Sequence, residues 1–244
     1  MIRVDGISKR FGNIRAVDNV SFKVEKGTVL GFLGPNGAGK STTMRMITGF
    51  LPPDKGTAFI SGNNIITESI VARKRMGYLP EDVPLYDEMQ VLDFLRFIAE
   101  IREIENIDKA IKSVEESCRL SDVMFQLIGT LSKGYRRRVA LAQAIIHDPE
   151  VLILDEPTDG LDPNQKRHVR GLIRDMAADK AIIISTHILE EVHALCDRII
   201  IIDHGKLLVD STPDKLMEQE KGSLEEVFRR YTLHENMQKG GVNE

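Results

Sequence analysis

One stretch constrains this chain more than any other: Gly34-Pro35-Asn36-Gly37-Ala38-Gly39-Lys40-Ser41, followed by Thr42. It reads G-x-x-x-x-G-K-S and directly follows the apolar run Thr28-Val29-Leu30-Gly31-Phe32-Leu33. A strand that turns through glycines into a helix gathers several backbone N–H groups around one small concavity. Those donors, and the positive end of the helix dipole, suit a phosphate chain. Gly34, Gly37 and Gly39 let the backbone approach an anion with no Cβ in the way. Lys40 is placed to reach the outer phosphates, and the Ser41 hydroxyl to take one position on Mg²⁺. The alternative, an ordinary Gly-rich turn, accounts for neither the buried strand before it nor the helix-forming segment after it.

Bulk properties narrow the setting. The 244 residues are enough for a substantial core, and 42% hydrophobic with 29% charged residues is a globular composition. The 33 basic and 37 acidic side chains leave a net charge of -4, so no global basic field recruits nucleic acid. Cys118 and Cys196 fit neither zinc nor disulfide spacing and are expected to be reduced thiols. Met1-Ile2-Arg3-Val4-Asp5 carries no signal-peptide core, and no apolar run approaches the ~18 residues that span a bilayer, so the chain is not expected to be a membrane protein itself.

Ile2 to Lys9 and Val20 to Val24 alternate as half-buried strands do. Phe11, in the turn between them, reads either as a core residue or as a ring that stacks on a nucleotide base. Ser41 to Thr48 is predicted helical, then a strand at Gly56 to Ile60 and a short one at Met76 to Leu79. Apolar stripes through Leu92–Ile101 and Ile107–Cys118 predict two helices, with a short third over Leu120–Leu127. The middle third is thus a helical insert in an α/β body. Ser132 is a reasonable N-cap for a helix running to Ile146, with Arg136-Arg137-Arg138 a solvated basic turn. Val151-Leu152-Ile153-Leu154 and Ala181-Ile182-Ile183-Ile184 read as strands buried on both faces of a parallel sheet, with a helix between them at Gly171–Ala178. A hairpin follows around Asp203-His204-Gly205, an amphipathic piece runs from Ser223 to Tyr231, and the polar tail beyond His234 is expected to fray.

Three strand ends carry the chemistry: the phosphate loop, Asp155-Glu156, and His187. A nucleoside triphosphate with Mg²⁺ needs a phosphate cradle, a carboxylate for the ion and a group that activates water. Asp155, nearer the strand, suits the metal; Glu156 suits the attacking water. His187 is read either as the group that orients the γ-phosphate or as a surface histidine. A zinc-protease reading of His187 to His193 fails, because the histidines are six apart and would not share a helix face.

With these residues in place, residues 1 to about 230 resemble the nucleotide-binding subunit of an ATP-binding cassette (ABC) transporter. The phosphate loop and Val151–Pro157 match the family's Walker A and Walker B motifs; Leu131–Tyr135 stands at its signature, Gly160-Leu161-Asp162 at its D-loop. Phe11 is at the adenine-stacking position, Glu81 at the Q-loop position and His187 at the switch histidine. The resemblance implies a P-loop NTPase (RecA-like) fold: a mostly parallel sheet flanked by helices, an N-terminal antiparallel β subdomain, and a helical subdomain at about 84–147 within a domain spanning 1–230, with 231–244 a tail. It implies ATP and Mg²⁺ as ligands. Asn36 to Thr42, Phe11, Ser132, Gly134 and Asp162 would contact nucleotide, Glu156 and His187 would act in catalysis, and Ser41, Asp155 and Glu81 would hold the metal.

Two departures stand out: Lys133 and Tyr135 replace Gly and Gln of the usual L-S-G-G-Q, and Glu81 replaces the Q-loop glutamine. With Leu79-Pro80, these resemble the ABC-2-type exporter ATPases; an importer subunit is the nearer alternative, and a soluble ABC ATPase or a non-hydrolysing regulatory module the more distant ones. In this family two domains associate head to tail, each completing its neighbour's ATP site. The implied partners are therefore a second ATPase copy and an integral membrane permease docking near Glu81–Tyr86, which would hold the chain on the cytoplasmic face of the membrane.

Overall fold

The computed structural model describes residues 1–238. Two long strands open the chain, β1 (Ile2–Phe11) and β2 (Ile14–Val24), as a hairpin that turns at Gly12-Asn13. Then come β3 (Val29–Leu33), α1 (Lys40–Ile47), β4 (Lys55–Ile60), β5 (Asn63–Asn64), α2 (Ser69–Lys74) and β6 (Met76–Leu79). The middle of the chain forms α3 (Val91–Ile101), α4 (Ile107–Cys118) and α5 (Lys133–Ile145). The remainder is β7 (Val151–Asp155), α6 (Pro163–Ala177), β8 (Ala181–Thr186), α7 (Leu189–Leu195), β9 (Arg198–Asp203), β10 (Lys206–Ser211), α8 (Pro213–Glu220) and α9 (Leu224–Gln238).

The strands make two sheets. An antiparallel one has the order β2-β1-β4-β5; the larger has the order β10-β9-β3-β8-β7-β6, parallel except for the β10–β9 pair. This is the α/β architecture expected from the sequence, with an antiparallel N-terminal sheet and a helical insert. Strand alternation sorts the aliphatic runs onto two faces. Leu30, Phe32, Ile153, Ile183 and Ile200 join α1 and the antiparallel sheet in one core. Val29, Leu33, Leu152, Leu154 and Ile184 face α3, α4, α5 and α6 in the other. Each such fully buried side chain contributes roughly 1.5–3 kcal/mol, which holds the central strands rigidly in register.

Several elements differ from the sequence expectation. The third insert helix is only a 3-10 turn at Ser121–Val123, and α6 begins at Pro163, well before Gly171. Helices α2, α7 and α8 were not expected at all. Helix α9 continues to Gln238, through part of the stretch expected to fray; residues 239–244 lie outside the described residues. Among the described residues, no helix is long and apolar enough to cross a membrane.

Candidate active site

The phosphate loop leaves β3 at the centre of the larger sheet, between β8 and β9. A Cβ on Gly34 would lie 2.3 Å from the Ile202 carbonyl oxygen, and one on Gly39 2.4 Å from that of Ala16. Gly39 also has φ +105 as it enters α1, a conformation that L side chains rarely adopt. The β9–β10 turn clasps the loop, Gly205 N–H donating to the Ala38 carbonyl (2.9 Å), and Ala38 N–H donates to Pro35 O (3.1 Å). Asn36 and Gly37 are exposed at the tip, Ala38 and Gly39 buried at its root, and Ser41 and Thr42 half-buried in the first turn of α1. Lys40 Nζ spans the loop, donating to the carbonyls of Gly34 (2.7 Å) and Pro35 (3.1 Å). Burial lowers its pKa, while the charges of Glu156, Asp155 and Glu81 act the other way. Lys40, Glu81 and the Asp155-Glu156 pair, from three separate stretches of the sequence, therefore share one electrostatic site.

At the far end of β7 the register pairs Asp155 with Ser185 of β8. Ser185 Oγ donates to Asp155 Oδ1, whereas the buried Oδ2 has no protein partner. Ser185 also anchors the next residue: Glu156 N–H donates to Ser185 Oγ (3.1 Å) and Ser185 O (3.2 Å). Glu156 adopts φ 51, so its carboxylate leaves the strand direction and meets His187 Nδ1 at 2.9 Å. The Glu156 side chain is 11% exposed and that of His187 54%, which leaves the imidazole on the solvent side of the pair. Burial raises the Glu156 pKa, opposed by the hydrogen bond and charge of His187. A buried carboxylate with an elevated proton affinity, hydrogen-bonded to an imidazole, has the properties of a general base.

The other expected residues fall in different places. Phe11 ends β1 opposite Ile14 and is 49% exposed, so it is not a core residue. Glu81 lies just beyond β6. Ser132 caps α5, its Oγ accepting from Tyr135 N–H (3.3 Å). Gly134 packs so tightly on α6 that a Cβ would come 2.6 Å from Gln165 Oε1. Asp162 is the N-cap of α6, Oδ1 accepting from Asn164 and Gln165 N–H (2.9 Å each). Lys133 Nζ pairs with Asp159 Oδ2 at 2.7 Å.

Three charged residues escaped the sequence reading. The basic turn is not solvated: Arg137 and Arg138 are each only 7% exposed. Arg138 donates to the Arg119 carbonyl (2.7 Å) at the end of α4 and stacks on Tyr135, while Arg136 pairs with Asp87 (2.6 Å). Arg137 turns inward to the strand ends. Glu191 of α7 is fully buried and accepts from the hydroxyls of Thr158 and Thr186, the latter at 2.8 Å, tying the segment after Glu156 to the residue before His187. Its only sequence signal is an acid in the first turn of an unrecognised helix.

The donor set also bears on a metal. Among the described residues, no three His, Cys, Asp or Glu side chains converge as a self-sufficient metal cluster. The unpartnered, buried Asp155 Oδ2, within the electrostatic reach of Lys40, instead fits a single carboxylate ligand to an ion that phosphates and water would otherwise hold, an arrangement that suits Mg²⁺.

A phosphate loop on a central parallel strand, with an acidic pair at the end of the next strand but one, defines a P-loop nucleoside triphosphatase. Residues 17–159 match the ABC transporter family. The chain is 38% identical over 226 residues to the Nod factor export ATP-binding protein I of Rhizobium sp. (strain N33), covering 91% of this chain and 74% of that one. It is 35% identical to the ABC transporter ATP-binding protein NatA of Bacillus subtilis (strain 168), covering 91% and 93%. A solved ATP-binding subunit of an ABC transporter superposes with a TM-score of 0.88 at 27% identity, over 94% of this chain and 98% of that one. This chain belongs to the ABC transporter family, as an ATP-binding and ATP-hydrolysing subunit.

Proposed function

We propose that the chain powers an exporter: ATP and Mg²⁺ bind at Gly34–Thr42, and a second copy of the chain closes over them. In this reading Phe11 stacks on the adenine, the Asn36–Gly39 amides and Lys40 hold the phosphates, and Ser41, Asp155 and Glu81 hold the ion. Mg²⁺ held there would supply neutralisation of phosphate charge. Glu156 takes the proton of the attacking water, and His187, hydrogen-bonded to it, orients the base toward the γ-phosphate. The observation that carries this reading is the buried Glu156 carboxylate hydrogen-bonded to the His187 imidazole (2.9 Å) within the electrostatic reach of Lys40. Export is supported by the similarity to the Nod factor export protein and by the Lys133 and Glu81 substitutions.

Ser132 and Gly134 stand at the N-terminus of α5, where backbone donors and the helix dipole favour an anion. This chain already has one phosphate loop, so a second anion site at the surface serves the ATP of a partner copy. Asp162, as the cap of α6, shapes the neighbouring face. For the permease, Tyr86 stacks edge-on against Phe97, and Arg102 donates to the Arg73 carbonyl (2.9 Å), bringing the ends of α2 and α3 together. Exposed Ile70, Val71, Phe97 and Ile101 thus join Tyr86 in an apolar edge suited to a membrane subunit's cytoplasmic helix. This extends the docking region of Glu81–Tyr86 toward α2.

Glu156→Gln tests the reading. It should retain ATP binding, lower turnover by roughly a hundredfold or more, and elute as a dimer in gel filtration with MgATP. Hydrolysis at the wild-type rate would remove Glu156 from the role of base.

A further inference from the structure

Arg137 is the fifth residue of α5, one helical turn beyond Lys133 in the signature stretch. Its guanidinium reaches two separate strand ends at once. Nη1 donates to the carbonyls of Pro80 (2.8 Å) and Glu81 (2.9 Å), just past β6. Nη2 donates to the carbonyls of Glu156 (2.7 Å) and Asp155 at the end of β7. A buried cation satisfied by four carbonyl oxygens is costly unless the surroundings compensate it. Here burial lowers its pKa while Asp155, Asp159, Glu156 and Glu81 favour the charged form, so the guanidinium stays ionised within an acidic cluster.

The four carbonyls belong to the residues whose side chains, or immediate neighbours, do the chemistry. Glu156 in particular sits at φ 51, and its peptide is held from both directions: Ser185 accepts its N–H, and Arg137 donates to its C=O. The planar fork matters, because a single ammonium cannot serve two carbonyl pairs on different strand ends. We propose that Arg137 is a positioning residue for hydrolysis: it fixes the backbone of Glu156 and of Glu81 to the helix that begins at the signature motif. Movement of that helix therefore carries the base and the β6 end with it. This rests on Glu156 acting as the base.

The test uses the full chain with Arg137→Lys, Arg137→Gly and, in parallel, Glu156→Gln, scored by turnover, MgATP affinity and thermal melting. Arg137→Lys keeps the charge but not the fork; it should bind MgATP like wild type and lose roughly tenfold to a hundredfold in kcat. Millimolar guanidinium should restore part of the kcat of Arg137→Gly, and urea at the same concentration should not. If Arg137→Gly is insoluble, Arg137→Lys alone decides. Wild-type kcat in Arg137→Lys overturns the proposal, as does guanidinium that raises the melting temperature without raising kcat. A Glu156→Gln protein that still turns over normally fails the base reading instead, which separates the two outcomes.

Discussion

The strand-end cluster and the signature face are built to opposite specifications. Asp155 and Glu156 are 1% and 9% exposed, and the segments around them are fastened by Ser185, Arg137 and Glu191. At the signature, Lys133 and Asp159 leave 71% and 53% of their side chains in solvent, and their ion pair crosses a surface. The first region is over-determined: several buried polar contacts fix each peptide, so a base can be held still through a reaction cycle. The second is held at its root by the Ser132 cap and the Gly134–Gln165 contact, while its outer side chains remain open. A half-site fixed at the base and open at the rim is what the proposed assembly with a second copy requires. Rigidity thus belongs to the chemistry, and exposure to the partner.

The sharpest way to break this contrast is to cut the buried region. Glu191→Ala removes the carboxylate that accepts from Thr158 and Thr186 and faces Arg170 Nη2 at 3.6 Å. It leaves two buried hydroxyls and a largely buried guanidinium without that partner. The expected loss is about 3 kcal/mol of unfolding free energy in urea denaturation. Because Thr186 also accepts from Ile188 N–H (3.0 Å), kcat should fall as the His187 segment loosens. A loss below about 1 kcal/mol, the scale of a surface pair, would mean that the strand-end region is no more tightly specified than the signature face.

What could be read from the sequence follows the same division. The phosphate loop, the two buried strands and their acidic or histidine ends were legible because backbone geometry and aliphatic runs dictate them locally. The placement of Gly39 beside Ala16 O and of Ser185 beside Asp155 only fills in that outline. Arg137 and Glu191 were not legible. Charged residues are expected at the surface, and nothing in three consecutive arginines says that the middle one points at four carbonyls 18 to 57 positions away in sequence. The start of α6 was readable and missed. Asp162-Pro163-Asn164-Gln165 is a capping box with Pro at the first turn, but the few apolar residues of Asn164–Arg170 hid the helical period. Short α2 and α7 carry too few turns to show a stripe, and tertiary contacts define them.

A second, smaller effect is set by pH. Burial raises the folded-state pKa of Glu156 above its ordinary value of 4.5. Between those two values the folded chain binds more protons than the unfolded one. Stability from this group is therefore fully present below 4.5 and is lost as pH rises through the raised value. At neutral pH the ionised Glu156 opposes folding, and the bond to His187 offsets only part of that. Glu156→Gln should consequently melt higher than wild type at pH 7, and the difference should close as the pH falls below 4.5. The acid limb of kcat/KM for the wild type should likewise lie above the ordinary carboxylate range. Equal melting temperatures at pH 7, with an acid limb at ordinary values, would show that Glu156 is not strained by burial.

The smallest effect on stability, and the most informative about the partner face, comes from Lys133. Its pair with Asp159 is short (2.7 Å) and lowers the Asp159 pKa, yet both groups are in solvent, so screening leaves it worth at most about 1 kcal/mol. Lys133→Ala should shift the urea midpoint barely beyond measurement. The Lys133 stem nevertheless lies over Gly160, where a Cβ would come within 2.6 Å of its Cδ and Cε, so it joins the signature to the segment that follows Glu156. Asp159 N–H in turn donates to the Glu156 carbonyl at 3.0 Å. Dimerisation of the Glu156→Gln protein in MgATP should then weaken several-fold on adding Lys133→Ala, and the exchanged pair Lys133→Asp with Asp159→Lys should recover only what the ion pair supplies. Should Lys133→Ala instead destabilise the monomer as Glu191→Ala does, with no change in dimer affinity, the signature face would be a structural contact of the single chain, and the division between a rigid base and an open rim would collapse.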